Sequence, residues 1–295
     1  MQKMSSYQRA FVVGGSARRL LTVCLLSYLC ACSQASEQPT PEAAKRFLKL
    51  RGYEFDSQSF FTAAAAGDEM AVNGFLGGGM NPNAKDEDGD TALTAAAARG
   101  DVKILNALIK GGADVNAKGR NDWTPLLLAL QGKQDSVSEV LLARNDIDLK
   151  AESPEGMTAL MIAVWTEKTG FVRLLLDRGA DVNHQDKDGD TAVHGAAMNG
   201  DSRLLQLLLD HRANPNIRNR LGGTALMWAA SYGYDEAVQV LLSKGADARI
   251  KDVDGVTAAG WAAKNGRGNL VIALREAEKL AKSKGKVPDS LTLCA

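Results

Sequence analysis

Histidine is nearly missing from this chain, with three in 295 residues. Imidazole chemistry would have to rest on His184, His194 or His211, and none has a Cys or second His at metal-ligand spacing. Aromatics make up only 5% of the residues, which excludes a core built on large rings. The four cysteines sit at the two ends (Cys24, Cys30, Cys32 and Cys294), so no disulfide framework holds the interior. Charge of one sign is also missing. The net charge is zero, and without the first 32 residues, which hold Lys3, Arg9, Arg18 and Arg19 and no acid, 31 bases face 35 acids. No basic field remains to attract nucleic acid. Lys279, Lys282, Lys284 and Lys286 read as a solvated helix face. The longest apolar run, Leu20 to Leu29, is too short for a membrane span of about 20 residues. No Gly-x-Ser-x-Gly elbow occurs, and Gly77-Gly-Gly79 is not followed by the Lys-Ser/Thr of a phosphate loop. Nothing supports an enzyme.

The short apolar run has a function of its own. Arg18-Arg19 precede it and small residues follow it, the layout of a secretory signal peptide. Leu29-Cys30-Ala31-Cys32 resembles a bacterial lipobox. That resemblance implies cleavage before Cys32, lipid attachment to Cys32 and, with Ser33 next, sorting to the outer membrane, facing the periplasm. The alternative is an ordinary signal peptide with a coincidental Cys. Residues 32–40 read as a tether. Thr40 and Pro41 then start a helix over residues 41–53, with Ala44, Phe47 and Leu48 on its apolar face and Gly52 at its end.

What the chain has in quantity is repetition. Thr91, Thr124, Thr158, Thr191, Thr224 and Thr257 are spaced by 33, 34, 33, 33 and 33 residues, and a divergent copy opens at Gln58. Seven units therefore fill residues 54–280, leaving a tail at 281–295. Each unit carries a small pair five or six residues after its anchor, such as Ala96-Ala97 or Ala196-Ala197. Small residues there let a first helix lie close to its neighbours. A second helix carries apolar residues at i, i+1, i+4 and i+5, as in Ile104, Leu105, Leu108 and Ile109, which form one broad stripe. Gly67, Gly100, Gly200, Gly233 and Gly266 stand between the helices. Gly79, Gly112, Gly179 and Gly245 stand where a left-handed cap would end the second.

Asp88-Gly-Asp-Thr-Ala-Leu93, Trp123-Thr-Pro-Leu126, Asp188-Gly-Asp-Thr-Ala-Val-His194 and Gly179-Ala-Asp-Val-Asn183 resemble the ankyrin repeat. The resemblance implies an all-α solenoid of helix-turn-helix units with hairpin-like loops. It also implies a partner in the concave groove formed by loop tips and first helices. Departures occur. The third unit replaces Gly-Ala-Asp by Asn145-Asp-Ile-Asp-Leu149 with one residue extra, and the fourth has Glu167 where the turn Gly belongs. Only His194 fills the family's His position, where it is structural. Arg275 replaces an apolar residue in the last unit, as an end cap facing water would require. Asp86-Glu-Asp-Gly-Asp90 and Asp186-Lys-Asp-Gly-Asp190 look superficially like calcium loops but lack the Gly position and distal Glu of an EF-hand. They read as tight turns, and weak calcium binding at these tips stays open on the sequence alone.

Mapping the groove positions onto this chain gives Arg99, Arg120, Trp123, Met157, Trp165, Met198, Tyr232, Tyr234 and Val256 as candidate partner contacts. Interface cores favour Trp, Tyr, Met and Arg, and four of the nine Trp and Tyr residues fall in this set. Trp228 and Trp261 read as core. The expected activity is binding of a folded exported or envelope protein, by a module tethered through Cys32, with no cofactor or metal. The alternative is an envelope structural role, binding cell-wall glycan or peptidoglycan through the same aromatics.

Overall fold

The computed structural model describes residues 40–284. The segment expected to be a signal peptide, Cys32, most of the expected tether and residues 285–295 lie outside the described residues. Among those described, fifteen α-helices and no strand are present.

The first helix, α1 (Pro41–Leu50), is capped by the Thr40 hydroxyl, which accepts from the Ala43 N–H at 3.4 Å. It buries Ala44 and Leu48, with Phe47 partly covered. Seven helix pairs follow: α2 (Ser57–Ala65) with α3 (Glu69–Gly77), α4 (Ala92–Arg99) with α5 (Val102–Lys110), α6 (Pro125–Gln131) with α7 (Asp135–Leu142), and α8 (Ala159–Trp165) with α9 (Thr169–Asp177). The last three are α10 (Ala192–Asn199) with α11 (Ser202–Asp210), α12 (Ala225–Tyr232) with α13 (Asp235–Ser243), and α14 (Ala258–Lys264) with α15 (Gly268–Lys284). First helices pack on first helices and second on second, so one continuous core runs through the stack. The last helix runs on to Lys284, past the expected repeat end, with Arg275 exposed.

Each anchor Thr opens a first helix in extended conformation. Thr91 and Thr94 exchange hydrogen bonds in a capping box, Thr94 N–H to Thr91 Oγ1 at 3.1 Å and Thr91 N–H to Thr94 Oγ1 at 2.9 Å. His194 plays Thr94's part in the fifth unit. Its Nδ1 accepts from the Thr191 N–H at 3.1 Å, which leaves Nε2 to donate to the Gly223 carbonyl at 3.3 Å. Burial pushes this imidazole below its ordinary pKa, against the pull of the Asp190 carboxylate.

The turn between paired helices needs a left-handed residue, and the glycines at that position have φ between 70° and 83°. The third and fourth units make the same turn without glycine, through Lys133 at φ 55° and Glu167 at φ 60°. The cost falls on those residues, because a Cβ crowds the left-handed region. The second helices end on Gly79, Gly112, Gly179 and Gly245, or on Arg212 at φ 66°. The third unit has no left-handed stop there. Instead the Arg178 guanidinium of the next repeat donates to the Leu142 and Arg144 carbonyls at 2.6 and 2.7 Å.

The units are also zipped together outside the core. Asn83, Asn116, Asn183 and Asn216 each accept one backbone N–H from the following repeat at 2.7–2.9 Å. At the first end, Phe75 gathers Tyr53, Phe55 and Phe60 at centroid distances of 5.6–6.0 Å, so a cluster of large rings closes the stack there.

Candidate functional site: the loop and first-helix groove

The loops before each anchor Thr are short and are stiffened by one acceptor side chain. Asp86, Ser153, Asp186, Asn219 and Asp252 occupy equivalent positions, and each accepts from the backbone N–H groups two and four residues on. A glycine in left-handed conformation follows in the same loops, at 89, 156, 189, 222 and 255. The acidic tips are thus built as turns, with one oxygen of Asp86 and one of Asp186 committed to the backbone. Among the described residues no group of three His, Cys, Asp or Glu side chains is arranged to hold a metal. The third unit has Gly119 at the acceptor position. Its tip is a one-turn 3-10 helix, Arg120–Asp122, with Asn121 and Asp122 left-handed. Neighbouring loops bond to each other: Lys187, Arg220 and Val253 donate their N–H groups to the Glu155, Asp188 and Leu221 carbonyls at 2.9, 2.9 and 3.1 Å.

The loop surface is electrically uneven. Residues 85–90 and 186–190 together hold seven carboxylates against Lys85 and Lys187, whereas residues 218–223 hold Arg218 and Arg220 and no acid. Burial pushes the Asp186 carboxyl above its usual range, despite two backbone hydrogen bonds. Burial also raises Asp252, but the Val256 N–H and the Trp261 indole N–H outweigh it and hold that carboxyl below its usual value.

The expected contact residues divide into two groups. Trp165, Tyr232 and Tyr234 are exposed, at 43%, 45% and 36%. The Trp165 indole leans on Gly195 of the next first helix. Tyr232 packs between sequence neighbours in a ladder, 6.2 Å from Trp228 and 5.8 Å from Tyr234, and the Tyr234 ring lies over Gly200. The others are tied into the scaffold. The Arg99 guanidinium donates to the Ala64 carbonyl at 2.9 Å, closing the end of α2. Arg120 pairs with Asp88 and lies 3.9 Å from Asp90. Trp123 and Met157 are half-buried against the core, and Met198 and Val256 are half-buried.

Trp228 and Trp261, expected in the core, do touch it but are only partly buried. With Asn219, Leu221, Gly223, Met227, Ser231 and Asp252 they line a pocket of about 120 Å³ between the last two loops and helices α12 and α14. Trp261 Nε1 donates to Asp252 Oδ2 at 2.7 Å, while Trp228 Nε1 is buried without a partner. The sequence carried one signal for this pocket. Leu221 stands three residues before its anchor Thr, where the other loops have Asp88, Asn121, Glu155, Asp188 and Asp254, and it is 66% exposed.

A family model for ankyrin repeats, in three copies, matches in overlapping stretches that run from residue 32 to residue 284. The chain belongs to the ankyrin-repeat family. The crystal structure of the ankyrin repeat domain of Bcl-3, described as a unique member of the IkappaB protein family, superposes with a TM-score of 0.61 at 30% sequence identity, covering 68% of this chain and 92% of that one. Delta-latroinsectotoxin-Lt1a of Latrodectus tredecimguttatus is 32% identical over 65 residues, which is 22% of this ankyrin chain and only 5% of the toxin. Ankyrin repeats generally mediate protein–protein interaction and bind folded protein partners, and the fold is typically a non-enzymatic interaction scaffold.

Proposed function

We propose that this chain is a tethered protein-interaction module whose working surface is the groove between the loop tips and the first helices of repeats four to seven. One observation carries the reading. In a chain with so few aromatics, Trp165, Tyr232 and Tyr234 are left in water along that line rather than buried. Rigid amphipathic rings are what interface centres use. The tether is Cys32, lipidated after cleavage of the signal peptide, which puts the module in the cell envelope, at the outer membrane facing the periplasm. The basic start, the short apolar run and Leu29-Cys30-Ala31-Cys32 support that placement.

A glycan-binding envelope role is the second reading, favoured by the ring ladder. Sugars stack on open ring faces, however, and Tyr232 already packs against both Trp228 and Tyr234. The protein reading is therefore preferred. To test it, Trp165 and Tyr232 are changed together to Ala, and the proteins captured from detergent extracts are compared with those taken by wild type and by a convex-face control, Leu174→Ala. Loss of the same captured protein with the groove variant alone supports the proposal. An unchanged set, with wild type pelleting on peptidoglycan, supports the glycan role instead. Detergent-phase partitioning of wild type but not of Cys32→Ala tests the anchor.

A further inference from the structure

The pocket between the last two loops differs from the rest of the groove in three ways that together specify an occupant. Its size is the first. At about 120 Å³ it is smaller than the roughly 300–1,000 Å³ of pockets that enclose whole small ligands, and it suits one side chain of a longer chain. Its walls, Leu221, Met227, Trp228 and Trp261, are apolar.

The second is an unmet hydrogen bond. Trp228 and Trp261 occupy the same position in successive repeats, four residues after Thr224 and Thr257. Trp261 spends its indole N–H on Asp252. Trp228 has only Asn219 at the position equivalent to Asp252, and the Asn219 oxygen is taken by the Leu221 and Gly223 N–H groups at 3.1 and 2.9 Å, while its amide nitrogen donates to Asp190 at 3.0 Å. The buried Trp228 Nε1 is left as a donor without an acceptor, a state that disfavours the free protein. The third is charge. Arg220 adjoins Leu221, Lys251 adjoins Asp252, and the Lys264 ammonium lies 4.7 Å from the centre of the Trp261 ring. Asp252 is committed to Trp261 and the backbone, so Asp254 is the uncommitted carboxylate of these two loops.

We propose that this pocket takes a single Leu- or Met-sized side chain from an extended, acidic segment of the protein partner, the Trp228 ring, which no hydrogen bond holds, turning on docking so that its shielded Nε1 donates to a backbone carbonyl of that segment. The inference rests on the groove being the working surface, and goes further in naming the chemistry of what it grips. Carboxylates flanking the anchor side chain meet Arg220, Lys251 and Lys264, and the complex weakens as salt rises.

The test uses the intact chain and a displayed library of random 12-residue peptides. Enriched sequences are made with a fluorescent label and titrated by anisotropy against wild type, Trp228→Phe, Ser231→Leu, the charge variant Arg220→Glu/Lys251→Glu, and Trp165→Ala/Tyr232→Ala. The expected peptides carry one Leu, Ile, Met or Phe with at least two Asp or Glu close by. Trp228→Phe keeps an aromatic wall, though a smaller one, and deletes the donor, so binding should weaken about 5- to 10-fold. Its urea midpoint should change little, because removing an unpaired buried donor offsets the indole packing that is lost. Ser231→Leu fills the pocket and should abolish binding, and the charge variant should reverse the preference for acids. Acidic peptides that bind Trp228→Phe and Ser231→Leu as tightly as wild type, yet are lost on Trp165→Ala/Tyr232→Ala, would overturn the pocket and leave the groove standing. Peptides indifferent to all four variants would overturn both. A library that enriches nothing, or enriches basic sequences, would overturn the acidic segment.

Discussion

Changing Gly200 or Gly266 to Ala makes the same chemical edit at the same turn in two repeats, with φ of 70° and 71°. The backbone strain is therefore shared. A Cβ in the left-handed region costs about 1–2 kcal/mol, offset by about 0.4–1 kcal/mol because Ala is less free than Gly in the unfolded chain. Gly266→Ala, whose new methyl meets nothing within 4 Å, should lose about 0.5–1 kcal/mol. At Gly200 the methyl would stand 2.7–2.9 Å from Tyr234 ring atoms, closer than such contacts allow. Forcing the ring off adds an overpacking cost of about 1–3 kcal/mol. Gly200→Ala should thus be worse than Gly266→Ala by at least about 1 kcal/mol, near 2–4 °C in melting temperature for a domain of this length. Urea unfolding followed by circular dichroism measures both. Amide exchange in α10 and α11 checks that the loss is not local fraying, since repeat arrays need not unfold in one step. Adding Tyr234→Ala should remove most of the difference. Equal losses at the two glycines, with no effect of Tyr234→Ala on the gap, would refute the claim that this ring is parked on the glycine and held ready for contact.

Further outcomes are expected from the same structure. Lys133→Gly and Glu167→Gly relieve left-handed strain and should each stabilise the chain by about 0.5–1 kcal/mol in urea titrations. Asn183→Ala strips the acceptor from the Asn214 N–H and should cost about 1 kcal/mol, read as a lower urea midpoint. His194 supplies a pH effect. Its folded pKa lies below the ordinary value of about 6.5, so the unfolded chain takes the proton first as pH falls. The stability held by the neutral ring is complete above about pH 6.5 and is lost on the way down to the folded pKa. His194→Thr, which copies the Thr91–Thr94 box, should show a smaller drop in urea midpoint between pH 7.5 and 5.

The paired helices, the anchor threonines and the left-handed glycines that end the second helices were legible in the sequence because each follows from a local rule acting within a few residues. Glu167 and Lys133 show that the rule binds the backbone more than the side chain: the turn forms regardless, and strain replaces glycine. The site was less legible. Arg99 sits at a groove position by count, yet its guanidinium reaches back 35 residues to the Ala64 carbonyl, a contact fixed only once the repeats are stacked. Trp228 and Trp261 share the core's register, so periodicity marks both as buried. Their half-burial depends on where the 219–223 and 252 loop residues come down, and their different hydrogen bonds turn on Asn219 against Asp252. Leu221, an apolar residue in a row of polar loop tips, broke the pattern visibly.

Amide hydrogen exchange of the intact protein, with and without the protein it captures, is the most direct measurement of where this solenoid works. Slowed exchange concentrated in residues 218–232 and 249–261, with the second helices α11 and α13 unchanged, is the expected map. Protection confined to those second helices or to α1, with the loops and first helices exchanging as before, would contradict it.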